Sequence, residues 1–165
     1  IAAYFGEKEV QWGSDSKRTT GLIISILVIQ LVAVFGAWIT SKLVEKFGNI
    51  KVLMLLNFLW ILICTYAYFV VTPNDFYMAA FFVGLVMGGI QSLSRSTYSK
   101  LIPSDTNDTT SFFSFYDVAE KIGIVIGMFT YGYIADVTGK IQNAILFLIL
   151  FFVVGLLLLL RVPKN

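Results

Sequence analysis

The stretch TGLIISILVIQLVAVFGAWITS, residues 20–41, contains no charged side chain. As an α-helix it would be about 33 Å long, enough to cross the ~30 Å hydrocarbon core of a bilayer. The chain of 165 residues is 58% hydrophobic and 13% charged, and its mean hydropathy is +0.82. Soluble domains are ~45–50% apolar and ~25% charged. The chain therefore lacks the polar surface that a water-soluble domain needs, and we expect the lipid bilayer to surround it.

Four further stretches are long and apolar enough to span a bilayer, at about residues 52–71, 76–93, 111–135 and 141–160. The short connections contain helix breakers, at Gly48-Asn49, Pro73-Asn74-Asp75, Pro103 and Gly139. No connection is long enough for a soluble domain. The sequence thus predicts one all-α membrane domain over residues 1–165, a polytopic transmembrane helix bundle. Residues 1–6 are interpreted as the end of an earlier helix. Because residue 1 is Ile1 and no signal peptide is present, we expect the true N-terminus upstream.

Positive charge in short loops predicts the orientation of the spans. Seven basic residues follow the first, third and fifth spans, whereas four lie on the other side. The first group comprises Lys42, Lys46, Lys51, Arg95, Lys100, Arg161 and Lys164, and the second comprises Lys8, Lys17, Arg18 and Lys140. The first group is predicted to face the cytoplasm, which also places the C-terminus there.

Composition excludes several classes of site and partner. The chain has no histidine, and Cys64 is the single cysteine. A disulfide framework is therefore excluded, and we expect no metal site and no other cofactor. Cys64 lies inside an apolar run and is interpreted as a small packing residue. The net charge of +2 is too small to indicate binding to nucleic acid.

Two glycine pairs with a spacing of four indicate close helix packing. Gly84 and Gly88 lie in the third span, and Gly123 and Gly127 lie in the fourth. We interpret both pairs as a packing device that joins the third span to the fourth.

The fourth span contains the charges that point to function. Asp117 and Lys121 are four residues apart, so they share one helix face and are able to pair. Counted from a helix start near Ser111, Lys121 lies ~15 Å deep, close to the bilayer midplane. Glu120 is one residue off that face. An alternative is a helix that starts later, which would leave these three residues among the headgroups with Lys121 snorkelling outward.

Charges that persist inside a bilayer usually face a bundle interior or an aqueous cavity. A midplane lysine is able to bind an anionic group of a solute, and a nearby carboxylate is able to take up a proton. Secondary transporters place their binding sites near the midplane. Our hypothesis is that Lys121 and Asp117 form part of a translocation site, with Glu120 nearby. Three intramembrane amides are further candidates, although such groups often only join helices: Gln30, Asn57 and Gln91.

Two segments carry a family resemblance. Glu45-Lys46-Phe47-Gly48 resembles a degenerate acidic–basic–x–Gly loop of the major facilitator superfamily, with Ser41 in place of the usual glycine and Asn49-Ile50 where basic residues are common. Residues 88–103, GGIQSLSRSTYSKLIP, together with residues 112–118, FFSFYDV, and Glu120-Lys121, resemble the vacuole-effluxer-like branch of that superfamily. This branch is related to amino-acid effluxers of yeast vacuoles and has many bacterial members.

The resemblance implies a secondary transporter, proton-linked or otherwise, whose cargo is amino acids or related metabolites. It implies two six-helix bundles that rock around a central cavity. This chain would hold the last five of twelve helices, and the missing N-terminal bundle would be its partner. The first, third and fourth spans would approach the cavity. A gating role falls on the loop residues Glu45, Lys46 and Gly48 and on Arg95. The location implied is the plasma membrane of a bacterium.

Two other functions fit part of the pattern. A non-transporting membrane scaffold or assembly subunit would explain the bundle, but it has little need for intramembrane charges. An intramembrane enzyme would need a nucleophile with a base, and no histidine or suitably spaced serine or carboxylate pair provides one. We therefore expect a transporter rather than an enzyme.

Overall fold

A computed structural model describes residues 1–106 and 108–162, and these residues form six α-helices. The helices are α1 (Ala2–Glu9), α2 (Asp15–Phe47), α3 (Asn49–Tyr68), α4 (Pro73–Leu101), α5 (Thr109–Thr138) and α6 (Ile141–Leu159). The part of the chain that is described contains no β-strand, so the predicted all-α bundle is confirmed. The orientation argument also used Lys164, which lies outside the described residues.

Side-chain caps fix the starts of three long helices. A hydroxyl or carboxylate at the position before each helix accepts a hydrogen bond from a backbone amide in the first turn, which satisfies a donor that the helix itself cannot. The pairs are Ser14 with Lys17, Thr72 with Asp75, and Asp108 with Ser111. The hydrogen bonds from the side chain and backbone of Ser111 also lower the pKa of Asp108.

The predicted helix breakers lie at the turns. Gly48 separates α2 from α3 with a φ of 84°, and Gly139 ends α5 with a φ of 64°. Residues other than glycine rarely adopt such angles. Pro73 occupies the first turn of α4, where its missing N–H is not needed for the helix.

Two helices extend well beyond the predicted apolar spans. α2 begins at Asp15 and ends at Phe47, and α4 continues to Leu101 rather than ending near residue 93. Hydropathy finds only the part of a helix that suits lipid, whereas polar residues with adequate helix propensity continue the helix beyond it. The last third of α4 is therefore a polar helical extension.

By length and composition, four helices are able to cross a membrane: α2, α3, α4 and α6. The predicted fourth span corresponds to α5, which has 30 residues but is not among these four. Its first half contains Asp117, Glu120 and Lys121. That α5 crosses the bilayer stays a prediction.

The closest helix pair is α2 with α4, and glycines make the approach possible. A Cβ added at Gly36 of α2 would lie 2.0 Å from the carbonyl oxygen of Leu85 in α4. A Cβ at Gly88 of α4 would lie 2.0 Å from the carbonyl oxygen of Ala33 in α2. Real Cβ atoms do not approach backbone this closely, so each helix packs directly on the other's main chain.

The predicted partner of the glycine pairs is wrong. Gly84 and Gly88 pack against α2, not α5, because a Cβ at Gly84 would meet the carbonyl oxygen of Ile29 at 2.6 Å. Nothing lies within 4 Å of a Cβ placed at Gly123 or Gly127. Small residues show that some backbone is able to approach, but they do not say which one.

The remaining helices are arranged around the α2–α4 pair. α3 packs against α4 on one side and α6 on the other, and α5 packs mainly against α6. Trp60 of α3 stacks on Phe152 of α6, with ring centroids 5.4 Å apart. α5 is the least covered of the long helices, since Tyr131 is its single buried residue among those described. One long face of α5 is therefore open.

Substitution of Gly88 by Ala tests the α2–α4 contact. Overpacking against the Ala33 carbonyl is expected to lower the free energy of unfolding by about 1–3 kcal/mol, offset in part by the ~1 kcal/mol higher helix propensity of Ala. Thermal unfolding of the full-length protein in detergent measures the change. The control is Gly155→Ala in α6, where the added Cβ meets only the flexible Asn57 amide nitrogen at 3.1 Å. Equal stabilities of the two variants would contradict the close contact.

Candidate translocation site

The charged residues of α5 lie toward the end of the bundle that we call the basic end. This end holds the C-termini of α2, α4 and α6 and the N-termini of α3 and α5, and it carries Lys42, Lys46, Lys51 and Lys100. The other end is called the opposite end. It holds the C-termini of α1, α3 and α5 and the N-termini of α2, α4 and α6.

Asp117 of α5 forms an ion pair with Arg95 of α4. Both side chains are about half exposed, at 48% and 53%. The guanidinium of Arg95 also lies over the ring of Tyr116, 5.7 Å from its centroid, where a cation is attracted to the aromatic face. The sequence predicts Arg95 in a loop, whereas the structure places it inside α4 as the partner of Asp117. A gating role for Arg95 stays a prediction.

The predicted pairing of Asp117 with Lys121 is not what the structure shows. Lys121 is exposed and has no carboxylate oxygen within 4 Å among the described residues. The physical reason is competition, because Arg95 from a neighbouring helix reaches Asp117 and presents a planar donor group that suits a carboxylate. Spacing within one helix does not reveal such a partner.

Hydrogen bonds and aromatic contacts complete the connection between α4 and α5. The Tyr116 hydroxyl donates to Ser94 Oγ over 2.9 Å, and the Tyr98 hydroxyl donates to the Phe112 carbonyl over 3.0 Å. The rings of Tyr98 and Tyr116 lie 4.9 Å apart. The backbones of α4 and α5 make little contact elsewhere. Side chains near the basic end are therefore the main link between these helices, and we call them the α4–α5 bridge: Ser94, Arg95, Tyr98, Phe112, Tyr116 and Asp117.

The positions along the helices place the bridge relative to Lys121. Asp117 is eight residues from the start of α5, or ~12 Å, and Lys121 is one turn, ~6 Å, farther along. Arg95 is six residues from the end of α4, ~9 Å, within its polar extension. The bridge thus lies at the margin of the apolar part of α4. Lys121 lies farther into the bundle, on the uncovered face of α5.

The other predicted pathway residues do not converge on Lys121. Gln30, Gln91 and Glu120 are exposed, and none of them takes part in a side-chain hydrogen bond within the described ranges. Asn57 of α3 is 7% exposed and faces Gly155 of α6. Its Oδ1 has no hydrogen-bond partner among the described residues. Asn57 is therefore placed between two helices and away from the open face of α5.

Asn49 attaches the α2–α3 turn to α4, a role that the sequence pattern did not indicate. Asn49 donates through its amide to Thr97 Oγ1 over 3.2 Å, and its Oδ1 accepts from the Lys100 ammonium over 3.0 Å. Asn49 departs from the superfamily loop pattern, yet it connects the turn with the polar extension of α4. The side-chain amide of Asn49 provides both a donor and an acceptor, and this property was the available sequence signal for the contact.

The predicted gating residues form only local contacts. Glu45 pairs with Lys42 at 3.4 Å, whereas Lys46 lies 5.3 Å from the centroid of the Phe47 ring. Gly48 supplies the positive φ of the turn. Gating by these residues stays a prediction.

A double-mutant cycle tests the partner of Asp117. Arg95→Gln and Asp117→Asn are expected to be non-additive in unfolding free energy by about 0.2–1 kcal/mol, the usual coupling of a half-exposed ion pair. Lys121→Gln combined with Asp117→Asn is expected to be additive. Thermal unfolding of the full-length protein measures both cycles. Coupling in the Lys121 cycle without coupling in the Arg95 cycle would restore the pairing within α5.

The sequence of this bundle is similar to those of known proteins. The sequence model of the family described as "vacuole effluxer Atg22 like" matches residues 1–165. The chain is 36% identical over 155 residues to an "uncharacterized MFS-type transporter YxiO" of Bacillus subtilis, covering 93% of this chain and 36% of that protein. It is 30% identical over 152 residues to "autophagy-related protein 22" of Cryptococcus neoformans, covering 92% of this chain and 24% of the relative.

A third relative, "autophagy-related protein 22" of Eremothecium gossypii, is 37% identical over 84 residues, 51% of this chain and 16% of that protein. No solved structure matches the chain. The chain spans about a third of the Bacillus subtilis relative and less of the fungal ones. The apolar helices and the transporter names of these relatives identify an integral, multi-pass membrane protein and a transporter family rather than an enzyme family. The chain belongs to the vacuole effluxer Atg22-like family within the MFS-type transporters.

Proposed function

We propose that the full-length protein is a secondary transporter and that this chain forms one wall of its pathway. The observation that carries the proposal is Lys121, a cation on the open face of α5 with no carboxylate within 4 Å among the described residues. Ile122, Ile124 and Val125 follow it at once and are also exposed. A charge beside such an apolar segment is costly in lipid and usually faces an aqueous cavity.

The chemistry of Lys121 favours a solute with an anionic group. Its ammonium is a compact point charge with three donors, so it is able to bind a carboxylate. Asp117 does not compete with the solute for the Lys121 ammonium, because the Asp117 carboxylate is already paired with Arg95. Amino acids and related metabolites carry such a carboxylate, and they are the cargo that we propose.

Transport would proceed by alternating access between two helix bundles. The chain covers 36% of the length of the Bacillus subtilis relative, which leaves room for a second, N-terminal bundle. The open faces of α2 and α5 support the proposal, because α2 exposes Leu31, Val34 and Phe35 at 65–69%. We propose that the N-terminal bundle and the cavity face these helices, and that Glu120 is a candidate carboxylate for a coupling proton.

The basic end is proposed to face the cytoplasm. Lys42, Lys46, Lys51 and Lys100 lie there, and positive charge in short loops is retained on the cytoplasmic side. The C-terminal end of α6 lies on the same side, since α6 runs from the opposite end. The membrane would be the plasma membrane of a bacterial cell.

Proteoliposomes with the full-length protein test the role of Lys121. Flux of a mixture of radiolabelled amino acids is measured for the wild type, Lys121→Ala and Lys121→Arg. We expect a loss of at least about tenfold for Lys121→Ala, as for removal of a charge-assisted contact of ~1.5–3 kcal/mol, and partial recovery for Lys121→Arg. Lys51→Ala, an exposed lysine at the basic end, is the matched control and should retain flux.

Two outcomes would contradict the proposal. Unchanged flux and unchanged half-saturation in Lys121→Ala would remove Lys121 from the pathway. The absence of any solute flux from the wild type, in a protein that is folded and inserted, would favour the alternative of a membrane scaffold.

A further inference from the structure

The open face of α5 continues from Lys121 toward the opposite end of the bundle. An α-helix repeats about every 3.6 residues, so Lys121, Val125, Met128 and Gly132 lie along one stripe of α5. The side chains of Val125 and Met128 are 65% and 58% exposed. A Cβ added at Gly132 would have nothing within 4 Å among the described residues. This stripe therefore connects the candidate translocation site with the far end of α5.

A cleft lies where the stripe meets α1. The cleft has a volume of about 670 Å³, within the ~300–1,000 Å³ range of small-molecule sites. On the α5 side it is lined by Gly132, Ala135 and Gly139, which share one helix face and leave space because they lack long side chains. Tyr4 lines it on the α1 side. The cleft is therefore large enough to hold a small solute.

Asp136 gives the cleft a negative charge. Among the described residues it is the one charged side chain that lines the cleft. Three carboxylates of the described chain have a basic nitrogen within 4 Å, those of Asp15, Glu45 and Asp117, and Asp136 is not one of them. Lys140 lies just beyond the end of α5 and does not pair with Asp136. The charge in the cleft therefore favours a cationic ligand.

Tyr131 adds a polar group that lacks a partner. Its side chain lines the cleft and is 4% exposed. Its hydroxyl is buried and has no hydrogen-bond partner among the described residues. Buried polar groups are nearly always paired, so an unpaired hydroxyl needs an explanation such as a bound group. Because the hydroxyl oxygen is able to accept a hydrogen bond, a donor bound in the cleft would provide the missing partner.

Tyr131 and Asp136 lie on the two sides of the row of small residues. Tyr131 precedes Ala135 by four residues, and Asp136 follows Gly132 by four, so each is a neighbour of the row on the helix surface. The aromatic ring of Tyr131 is a second feature that suits a cation, because the face of an aromatic ring attracts positive charge. The small residues thus form the floor of the cleft between a carboxylate and a phenol.

We propose that the α1–α5 cleft binds the primary ammonium group of a solute, with the Asp136 carboxylate as its counter-ion and the Tyr131 hydroxyl as a hydrogen-bond acceptor. A primary ammonium group carries three N–H donors, and these two side chains provide acceptors for them. Met128 and Ile141 also line the cleft, and their apolar side chains suit a short hydrocarbon substituent. An apolar amine and the amino end of an amino acid share this chemistry.

An inorganic cation fits the cleft less well than an ammonium group. Hard metal cations take about six oxygen ligands, whereas the cleft offers one carboxylate and one phenol. Within the described ranges there is also no group of three or more acidic, histidine or cysteine side chains that would hold a metal.

The ammonium site is separate from Lys121. Tyr131 is ten residues from Lys121 along α5, or ~15 Å, and Asp136 is fifteen residues from it, or ~22 Å. A small amino acid is too short to reach both sites at once, so a solute would occupy them in turn along the open face of α5. The inference deepens the proposed function and rests on it for this order of occupancy, whereas ammonium binding in the cleft is measurable without transport.

Protection of a cysteine in the cleft tests the site. In full-length protein that lacks other cysteines, Gly132→Cys is labelled with a maleimide in lipid nanodiscs at constant ionic strength. The labelling rate is measured with leucine, with isoamylammonium, which is leucine without its carboxyl group, and with isocaproate, which is leucine without its amino group. We expect isoamylammonium to slow labelling and isocaproate to leave it unchanged. Lys51→Cys, at the basic end, is the position control and should be labelled at the same rate with and without isoamylammonium.

The leucine sample distinguishes the two sources of an ammonium group. Slowing by leucine as well as by isoamylammonium would assign the cleft to zwitterionic amino acids. Slowing by isoamylammonium alone would assign it to organic amines.

Variants of the cleft identify the groups that bind the ammonium. Asp136→Asn is expected to raise the isoamylammonium concentration that halves the labelling rate at least about tenfold, as for loss of a charge-assisted contact. Tyr131→Phe is expected to raise it about two- to tenfold, as for loss of one hydrogen bond. The matched control is Glu7→Gln, an exposed carboxylate of α1 that does not line the cleft, and it should leave this concentration unchanged.

Four outcomes would count against the inference. The absence of protection by isoamylammonium, or equal protection by isocaproate, would overturn it. Unchanged protection in Asp136→Asn would overturn it as well, and unchanged protection in Tyr131→Phe would overturn the part assigned to the hydroxyl. Protection that depends on Asp136 in a protein without solute flux would uphold the cleft while the proposed function fails.

Discussion

Direct backbone contact between α2 and α4 is the constraint on which the rest of the bundle depends. In lipid there is no hydrophobic driving force between helices, so association relies on close packing and on polar contacts. Gly36, Gly84 and Gly88 allow carbonyl groups of one helix to lie where a Cβ of the other would be. Many weak dispersion contacts are gained along such an interface. α3 then packs against α4, and α6 packs against α3.

The same arrangement explains why α5 has a long open face. The small faces of α2 and α4 are directed at each other, so α4 offers α5 little backbone surface. α5 is joined to α4 by the α4–α5 bridge and packs otherwise mainly against α6. A helix held in this way has a long uncovered face, and Lys121 lies on it. The α4–α5 bridge lies toward the basic end, whereas a hydrogen bond from Gln142 to Glu9 joins α6 to α1 at the opposite end.

Much of the fold is predictable from the sequence because bilayer thickness and turn chemistry are local constraints. The apolar runs locate the five long helices, and Gly48, Pro73 and Gly139 mark the turns. Which helices pack together is less predictable, since the apolar surfaces of different helices are chemically similar in lipid. Gly84 and Gly88 indicated a close contact, but α2 as the partner required the three-dimensional structure. Asp117 was found as a charge of interest, whereas its pairing with Arg95 depends on a separation of 22 residues.

A disulfide cross-link between α2 and α4 measures the central contact most directly. A Cβ at Gly89 would lie 3.1 Å from the Cβ of Thr40, close to the ~3.5–4.5 Å separation of a disulfide. In full-length protein that lacks other cysteines, Thr40→Cys with Gly89→Cys should cross-link within the monomer under mild oxidation. Gly89→Cys with Gly123→Cys, which tests packing of α4 on α5, should not. Cross-linking of the second pair and not the first would contradict the account.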